Sequence, residues 1–256
     1  MKCNKQEYYD KMGLSKEDVE LLNDYFVAFS NFYGKIPLRS AFEIINEQNE
    51  NRFSNAVLLK FAKSKNREKR FYMVLSPKEF YKDIDDSDPL DDEIVNDALY
   101  SVDDDGYYEL DEAQEDKPIC VLPKEELLRY ADDYYREDTS ETQALERYLE
   151  KNAKILQPPA SLGYVNTARD LVDEYVVAVN MDFGFESMDI DALLRLVDMP
   201  DNDRDCKKFL EGLIPLVNDV HNNTRMWVNR GYTPHELSIL MGGPKPENLK
   251  FFTEPL

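Results

Sequence analysis

Histidine and tryptophan are nearly missing from this 256-residue chain, which holds two of the former and one of the latter. Cysteine is little commoner, with Cys3, Cys120 and Cys206 scattered along the chain. An odd, dispersed set makes neither a disulfide framework nor a C-x-x-C pair, and it points to a reducing cytoplasm. The longest apolar runs, such as "YVVAV" from Tyr175, fall far short of the ~20 residues of a membrane span. The opening "MKCNKQEYYDKMG" lacks the apolar centre of a secretory signal, so none is expected. Catalytic signatures are also missing: no H-E-x-x-H, no G-x-S-x-G, no G-x-x-x-x-G-K-[ST] and no dinucleotide glycine fingerprint. No catalytic, metal or cofactor residue is therefore expected. No repeat of 20 to 50 residues suggests a solenoid.

What the chain has in excess is acid. The formal net charge is -21. Sixteen Asp and Glu lie between Asp83 and Asp116, where there is no Lys or Arg, leaving 36 acids against 31 bases elsewhere. This is a nearly balanced protein with one acidic segment. The plainest reading is a solvated, partly mobile insertion that aids solubility. Asp83, Asp85, Asp86, Asp88, Asp91, Asp92 and Glu93 could alternatively meet a basic partner, and cation binding or nucleic-acid mimicry are further readings. "SVDDDGYYELDE" matches a calcium loop only in part: Asp103, Asp105, Gly106 and Glu112 fit, but Ser101 stands where Asp is needed.

Aromatics make up 12% of the residues and hydrophobics 42%, ample for a folded core. Val19, Leu22, Phe26, Phe29 and Tyr33 recur at helical spacing, with Ser15 and Asp18 as a start signal and Gly34 as a stop. Pro37 opens a second helix with Phe42, Ile44 and Ile45 inward, and Ser54 a third with Val57, Leu58 and Phe61. "RFYMVL" (70–75) and "ALYSVDDDGYYEL" (98–110) read as strands, the second turning at Asp105-Gly106. "PICVL" ending at Leu122 reads as another. Three helices followed by a hairpin is the order of a winged helix. From Pro123 the pattern is helical: "PKEELLRYADDYYRED", "SETQALERYLEKN", "YVNTARDLVDEYVVAVNM", a segment that Ser187 can cap, and a long stretch from Asp203 with a kink or break at Pro215. The fold expected is mainly α (α+β), with a winged-helix-like module and small acidic β element in 1–122, an α-helical domain in 123–241 and a tail in 242–256.

Both histidines and the tryptophan fall in "HNNTRMWVNRGYTPHEL" (221–237). A helix continuing through "NDVHNNTRMWV", with Arg230 in its last turn and Gly231 just past its end, would be followed by a helix starting at Thr233 and Pro234. Glu236 would complete a capping box. Trp227 and Tyr232 are the bulky residues that hold such a corner. His221 and His235, 14 residues apart on different helices, lack metal-ligand spacing, so the stretch reads as a structural corner. "KFAKSKNREKR" (60–70) could be a DNA-reading face, but an acidic wing beside it would repel phosphate, so no appreciable nucleic-acid binding is expected.

"YGKIPLRSAFEII" (33–45), "YADDYYREDTSETQALERYL" (130–149) and "NNTRMWVNRGYTPHEL" (222–237) together resemble an uncharacterised family of helical proteins from low-GC Gram-positive bacteria. Some of its members end in a SEC-C motif, a small Cys-rich zinc module. No Cys cluster follows Leu237 here, so the resemblance implies a shared helical architecture and brings no zinc site or functional residue. The function expected is that of a cytoplasmic, non-catalytic, adaptor-like protein with a protein partner of basic character. The alternatives are a winged-helix-type DNA-binding regulator and a metal-dependent enzyme.

Overall fold

Ser15 starts the first long helix by exchanging hydrogen bonds with Asp18. Its Oγ accepts from the Asp18 amide at 3.1 Å, and the Asp18 carboxylate accepts from the Ser15 amide at 2.9 Å. In the computed structural model of the chain, residues 5–65, 71–81, 88–99, 105–155, 167–181, 193–198 and 202–243 are described. The chain divides by its contacts into two compact units. One comprises Met1–Glu112 with Cys120–Tyr135, the other Ala113–Ile119 with Arg136–Leu256. The molecule is mainly α-helical with a small β element.

In the first unit a short helix α1 (Lys5–Asp10) precedes α2 (Lys16–Tyr33), β1 (Lys35–Pro37), α3 (Leu38–Glu47), α4 (Asn55–Lys65), β2 (Tyr72–Leu75) and β3 (Glu93–Asn96). Gly34 stops α2 at a positive φ of 70°, buried, where a side chain would add strain. The sheet is antiparallel in the order β1-β3-β2, with Ile94 opposite both Ile36 and Val74. Against it pack aromatic side chains of the helices. Phe26 meets Phe61 edge-on at 5.3 Å and Tyr72 at 6.0 Å, and all three are buried.

The sheet corrects three expectations. Its central strand is "EIVN", from inside the acidic run, so that run is no mere solvated insertion. The strand expected over 98–110 is absent from the described residues of that span, 100–104 lying outside them. Residues Asp97–Leu99 make a 3₁₀ turn, and Asp105–Gln114 is a helix, α5. Tyr107, Leu110 and Gln114 recur at helical spacing and are buried, whereas Tyr108 and Glu112 are exposed. That 3.6-residue period overrode the β preference of paired tyrosines and the hairpin habit of Asp-Gly. "PICVL" is also no strand; Tyr33 fixes it by donating its hydroxyl to the Cys120 carbonyl at 2.6 Å. Residues 76–92 connect β2 to β3, and of these 82–87 lie outside the described residues.

The helix expected from Pro123 is short. It comprises α6 (Lys124–Leu127) and a 3₁₀ turn, Leu128–Ala131. It stops at Asp132, whose carboxylate accepts from the Tyr134 amide at 3.0 Å, a local bond that competes with further helix.

In the second unit, α7 (Ser140–Asn152) and α8 (Ala168–Asn180) begin with capping boxes at Thr139 and Thr167. A two-residue pair joins β4 (Lys154–Ile155) to β5 (Val197–Asp198). The long helix α9 (Asp203–Asn223) is capped by Asn202, and α10 (Pro234–Leu240) follows the corner. Leu145, Leu149, Leu171, Tyr175, Leu193, Leu213 and Val217 form the core. Helix α9 runs unbroken through Pro215, which is exposed, so water can serve the carbonyl that its missing N–H leaves free. The expected Ser187 cap lies outside the described residues. Among the described residues no helix is long and apolar enough to cross a membrane.

Candidate functional site

The His221–Leu237 stretch is built differently from the expected pair of abutting helices. Helix α9 ends at Asn223, well short of the expected end beside Gly231, and Thr224 turns its hydroxyl back to the Val220 carbonyl at 2.8 Å. A 3₁₀ turn, Trp227–Asn229, follows. Arg230 and Gly231 then both adopt positive φ, 50° and 85°, so Arg230 is part of the turn and not of a last helical turn. Thr233 caps α10 and exchanges bonds with Glu236, while Pro234 takes the first helical position.

Arg225 binds these pieces into one body. Its guanidinium makes a two-pronged pair with Glu236, at 2.8 and 3.2 Å, donates to the Gly231 carbonyl at 3.1 Å and pairs with Glu137 at 3.0 Å. Such fork-to-carboxylate pairing fixes direction as well as distance. Trp227 is 1% exposed, and its carbonyl accepts from Gln114 Nε2 at 2.7 Å. Lys117 donates to the Val228 carbonyl at 2.8 Å and to Asn229 Oδ1, while Arg230 returns a bond to the Lys117 carbonyl. Burial pushes the Lys117 ammonium below its ordinary pKa. Tyr232 is half-buried, and its carbonyl receives the Met226 amide. His221 is buried at the end of α9, and His235 is half-buried on α10. The side chains named here bond one another and the backbone of the turn, an arrangement that fits an architectural corner. Nothing in the sequence marks Arg225, Glu137, Gln114 or Lys117 as its supports, because three of them join it from 88, 113 and 111 residues away.

The acidic run separates into different roles. Asp83, Asp85 and Asp86 lie outside the described residues, as do Ser101 and Asp103 of the calcium-loop match. Asp88 caps a 3₁₀ turn, Pro89–Asp91, and Asp91 ends it; both accept from Arg39 Nη2, at 3.1 and 2.9 Å. Asp92 is half-buried, and desolvation raises its carboxyl above the usual range despite the Ser76 hydroxyl and the nearby Lys63. Glu93, grouped with the surface acids in the sequence reading, is buried and not on a surface. It lies in the central strand and accepts from Lys35 Nζ at 3.2 Å and from the Tyr107 hydroxyl at 2.6 Å.

That pair belongs to a closed cluster. Lys35 also pairs with Asp111, which accepts the Tyr81 hydroxyl. The Tyr107 ring lies 4.6 Å under the ammonium and stacks on Phe80 at 3.6 Å. Burial, then the Glu93 charge, drives the Tyr107 phenol well above its ordinary pKa of 10.0; burial and the bond to Asp111 do the same for Tyr81. Both phenols therefore remain donors at neutral pH. Lys35, paired with Glu93 of β3 and Asp111 of α5, ties strand to helix.

Over its described residues, 60–65, the basic run is no continuous charged face. Lys65 is buried, donates to the Tyr9 hydroxyl at 2.9 Å and sits 4.2 Å over the Phe61 ring. Residues 66–70 lie outside the described residues. Cys120 is buried and Cys206 half-buried. Among the described residues no three His, Cys, Asp or Glu side chains are grouped to hold a metal ion.

A groove of about 260 Å³ opens on the first unit. One wall is a stripe of α3, in which Arg39, Phe42, Glu43, Asn46 and Glu47 recur at three- and four-residue steps. Leu90, from the 3₁₀ turn that Arg39 pins, lines it as well, together with Asn51 and Asn55. The turn bearing Asn51 has two consecutive left-handed residues, Glu50 and Asn51, held where the Asn51 amide donates to the Asn46 carbonyl at 2.8 Å. Comparison with protein-family models, with curated proteins and with solved structures returned no match.

Proposed function

We propose that this chain is a cytoplasmic, non-catalytic interaction protein, adaptor-like in action, whose partner is a protein of basic character. It is further proposed to belong with the helical proteins of low-GC Gram-positive bacteria that its sequence resembles. The observation that carries the interaction reading is the way the acidic run is built in. Part of it is the central strand of a sheet, and Arg39 pins the 3₁₀ turn beside it. Asp88 and Asp91 are thereby offered from a fixed frame, with their exposed edges available to a cation. A preorganised charge costs less ordering on binding than one on a free tail. Affinity capture from native lysate with the whole chain as bait tests this. Recovery of a stoichiometric partner whose release depends on salt supports it, whereas no partner together with substrate turnover would sink it.

A second reading, a winged-helix-type DNA-binding regulator, is favoured by the order of three helices and the β1-β3-β2 sheet. Likeness of order does not carry function. The burial of Lys65 and the closeness of Asp92 to Lys63 weigh against a phosphate-binding face on α4. A mobility-shift titration with duplex DNA is expected to show no appreciable binding at ~150 mM salt, and only weak, steeply salt-sensitive binding below it. Tight, sequence-selective retardation at the higher salt would put the regulator first.

A further inference from the structure

The groove along α3 has a character that the interaction reading leaves unused. Buried Phe42 closes its base and half-buried Leu90 gives it an apolar side, while Glu43 and Glu47 stand exposed one helical turn apart. Arg39 is the one cation in the lining, and Asp88 and Asp91 already accept from it. The charge left over is negative, and the volume lies below the ~300–1,000 Å³ usual for cofactor and drug-sized ligands. A guest that matches both features has an alkyl stem to lie along the apolar side and a cation to reach the glutamates.

We infer that this groove receives a lysine-bearing linear segment of a partner protein. The methylene stem of the lysine lies along Leu90, above the buried Phe42, and its ammonium stands between Glu43 and Glu47. Asn51 and Asn55 supply amide groups for the backbone of the segment. The inference rests on the interaction reading and names its surface. The pinning of Pro89–Asp91 by Arg39 keeps Leu90 in place as the apolar side, so the groove is formed before the guest arrives.

The test uses the whole chain, labelled with ¹⁵N and titrated with a synthetic peptide whose lysines are spaced by alanines. A peptide with glutamates in their place is the control. Amide shifts are expected within 39–55 and at Leu90, with no response to the glutamate peptide. Glu43→Gln/Glu47→Gln should weaken binding by about tenfold. Glu146→Gln/Glu150→Gln, on α7, should leave it unchanged. Far-UV circular dichroism checks that both variants are folded, and Glu47→Lys, a single reversal, provides a second route to the same loss. Absence of binding, shifts centred elsewhere, or equal affinity in the α7 and α3 variants overturns the groove. Spermidine binding as tightly as the peptide overturns its assignment to a protein segment. Lysate capture run with both baits separates the two readings. A partner held equally by wild type and the α3 variant removes the groove and leaves the interaction reading. Peptide binding at the groove with no cellular partner does the reverse.

Discussion

Trp227 and the histidines beside it differ in what they lose on truncation. Removing a large aromatic from a close-packed site deletes its buried surface and leaves a cavity, so Trp227→Ala should cost about 3–5 kcal/mol. His235 is half-buried on a short helix, and His235→Ala should stay within about 1 kcal/mol of wild type. Thermal melts of the two variants check the difference; a larger loss for the histidine would reverse the assignment of the corner. Tyr107 offers a test with a pH signature. Its hydroxyl bonds a buried carboxylate, so Tyr107→Phe should cost about 1–3 kcal/mol at neutral pH. A phenol raised in the folded state contributes stability that is whole below the unfolded value of 10.0 and is lost as pH rises through the folded value. Wild type should therefore lose stability above about pH 10 more steeply than the variant, and the gap between them should narrow. Denaturant midpoints across that range measure it, and a gap that widens with pH would contradict this account of the cluster.

Among the elements, helix α9 shows how closely two helices can meet when one has no side chain. A Cβ on Gly212 would stand 2.5 Å from the Tyr148 hydroxyl, which is not free to swing aside because it donates to the Phe209 carbonyl at 2.7 Å. Gly212→Ala should cost about 1–3 kcal/mol as overpacking, despite the better helix propensity of alanine. Combining it with Tyr148→Ala should be less costly than the two single losses added together, and a double-mutant cycle reads that coupling. Elements of this kind were also the most legible. Ser15, Thr233 and their acidic partners three residues on announce helices in the sequence, because capping is a contact between near neighbours. The hairpin at Asp105-Gly106 was misread because two local signals conflicted, and packing of Tyr107 and Leu110 decided between them. The Lys35 cluster was not legible at all. Its carboxylates lie 58 and 76 residues along the chain, and only the folded sheet brings them to one ammonium. The groove, likewise, shows in sequence as an ordinary polar helix face, with nothing to announce Leu90 beside it.

At the scale of the whole molecule, the path of the chain through its two units sets what can be taken apart. The chain leaves the first unit after Glu112, returns at Cys120 and leaves again after Tyr135. Residues 113–119 carry Gln114 and Lys117, the supports of the Trp227 turn. A fragment of residues 136–256 should therefore hold its tryptophan poorly, with red-shifted emission, whereas one starting at Ala113 should approach the emission of the intact chain. Because Trp227 is the only tryptophan, this reading reports on the second unit without interference. Equal spectra from the two fragments would show that the seven residues are dispensable.

The same threading bears on ancestry. Two domains laid end to end can be exchanged by one recombination event, each arriving complete in a new gene. Here no single breakpoint leaves both units whole: a cut after Glu112 takes Cys120–Tyr135 from the first, and a cut after Tyr135 takes Ala113–Ile119 from the second. Exchange of either half alone would therefore deliver an incomplete unit.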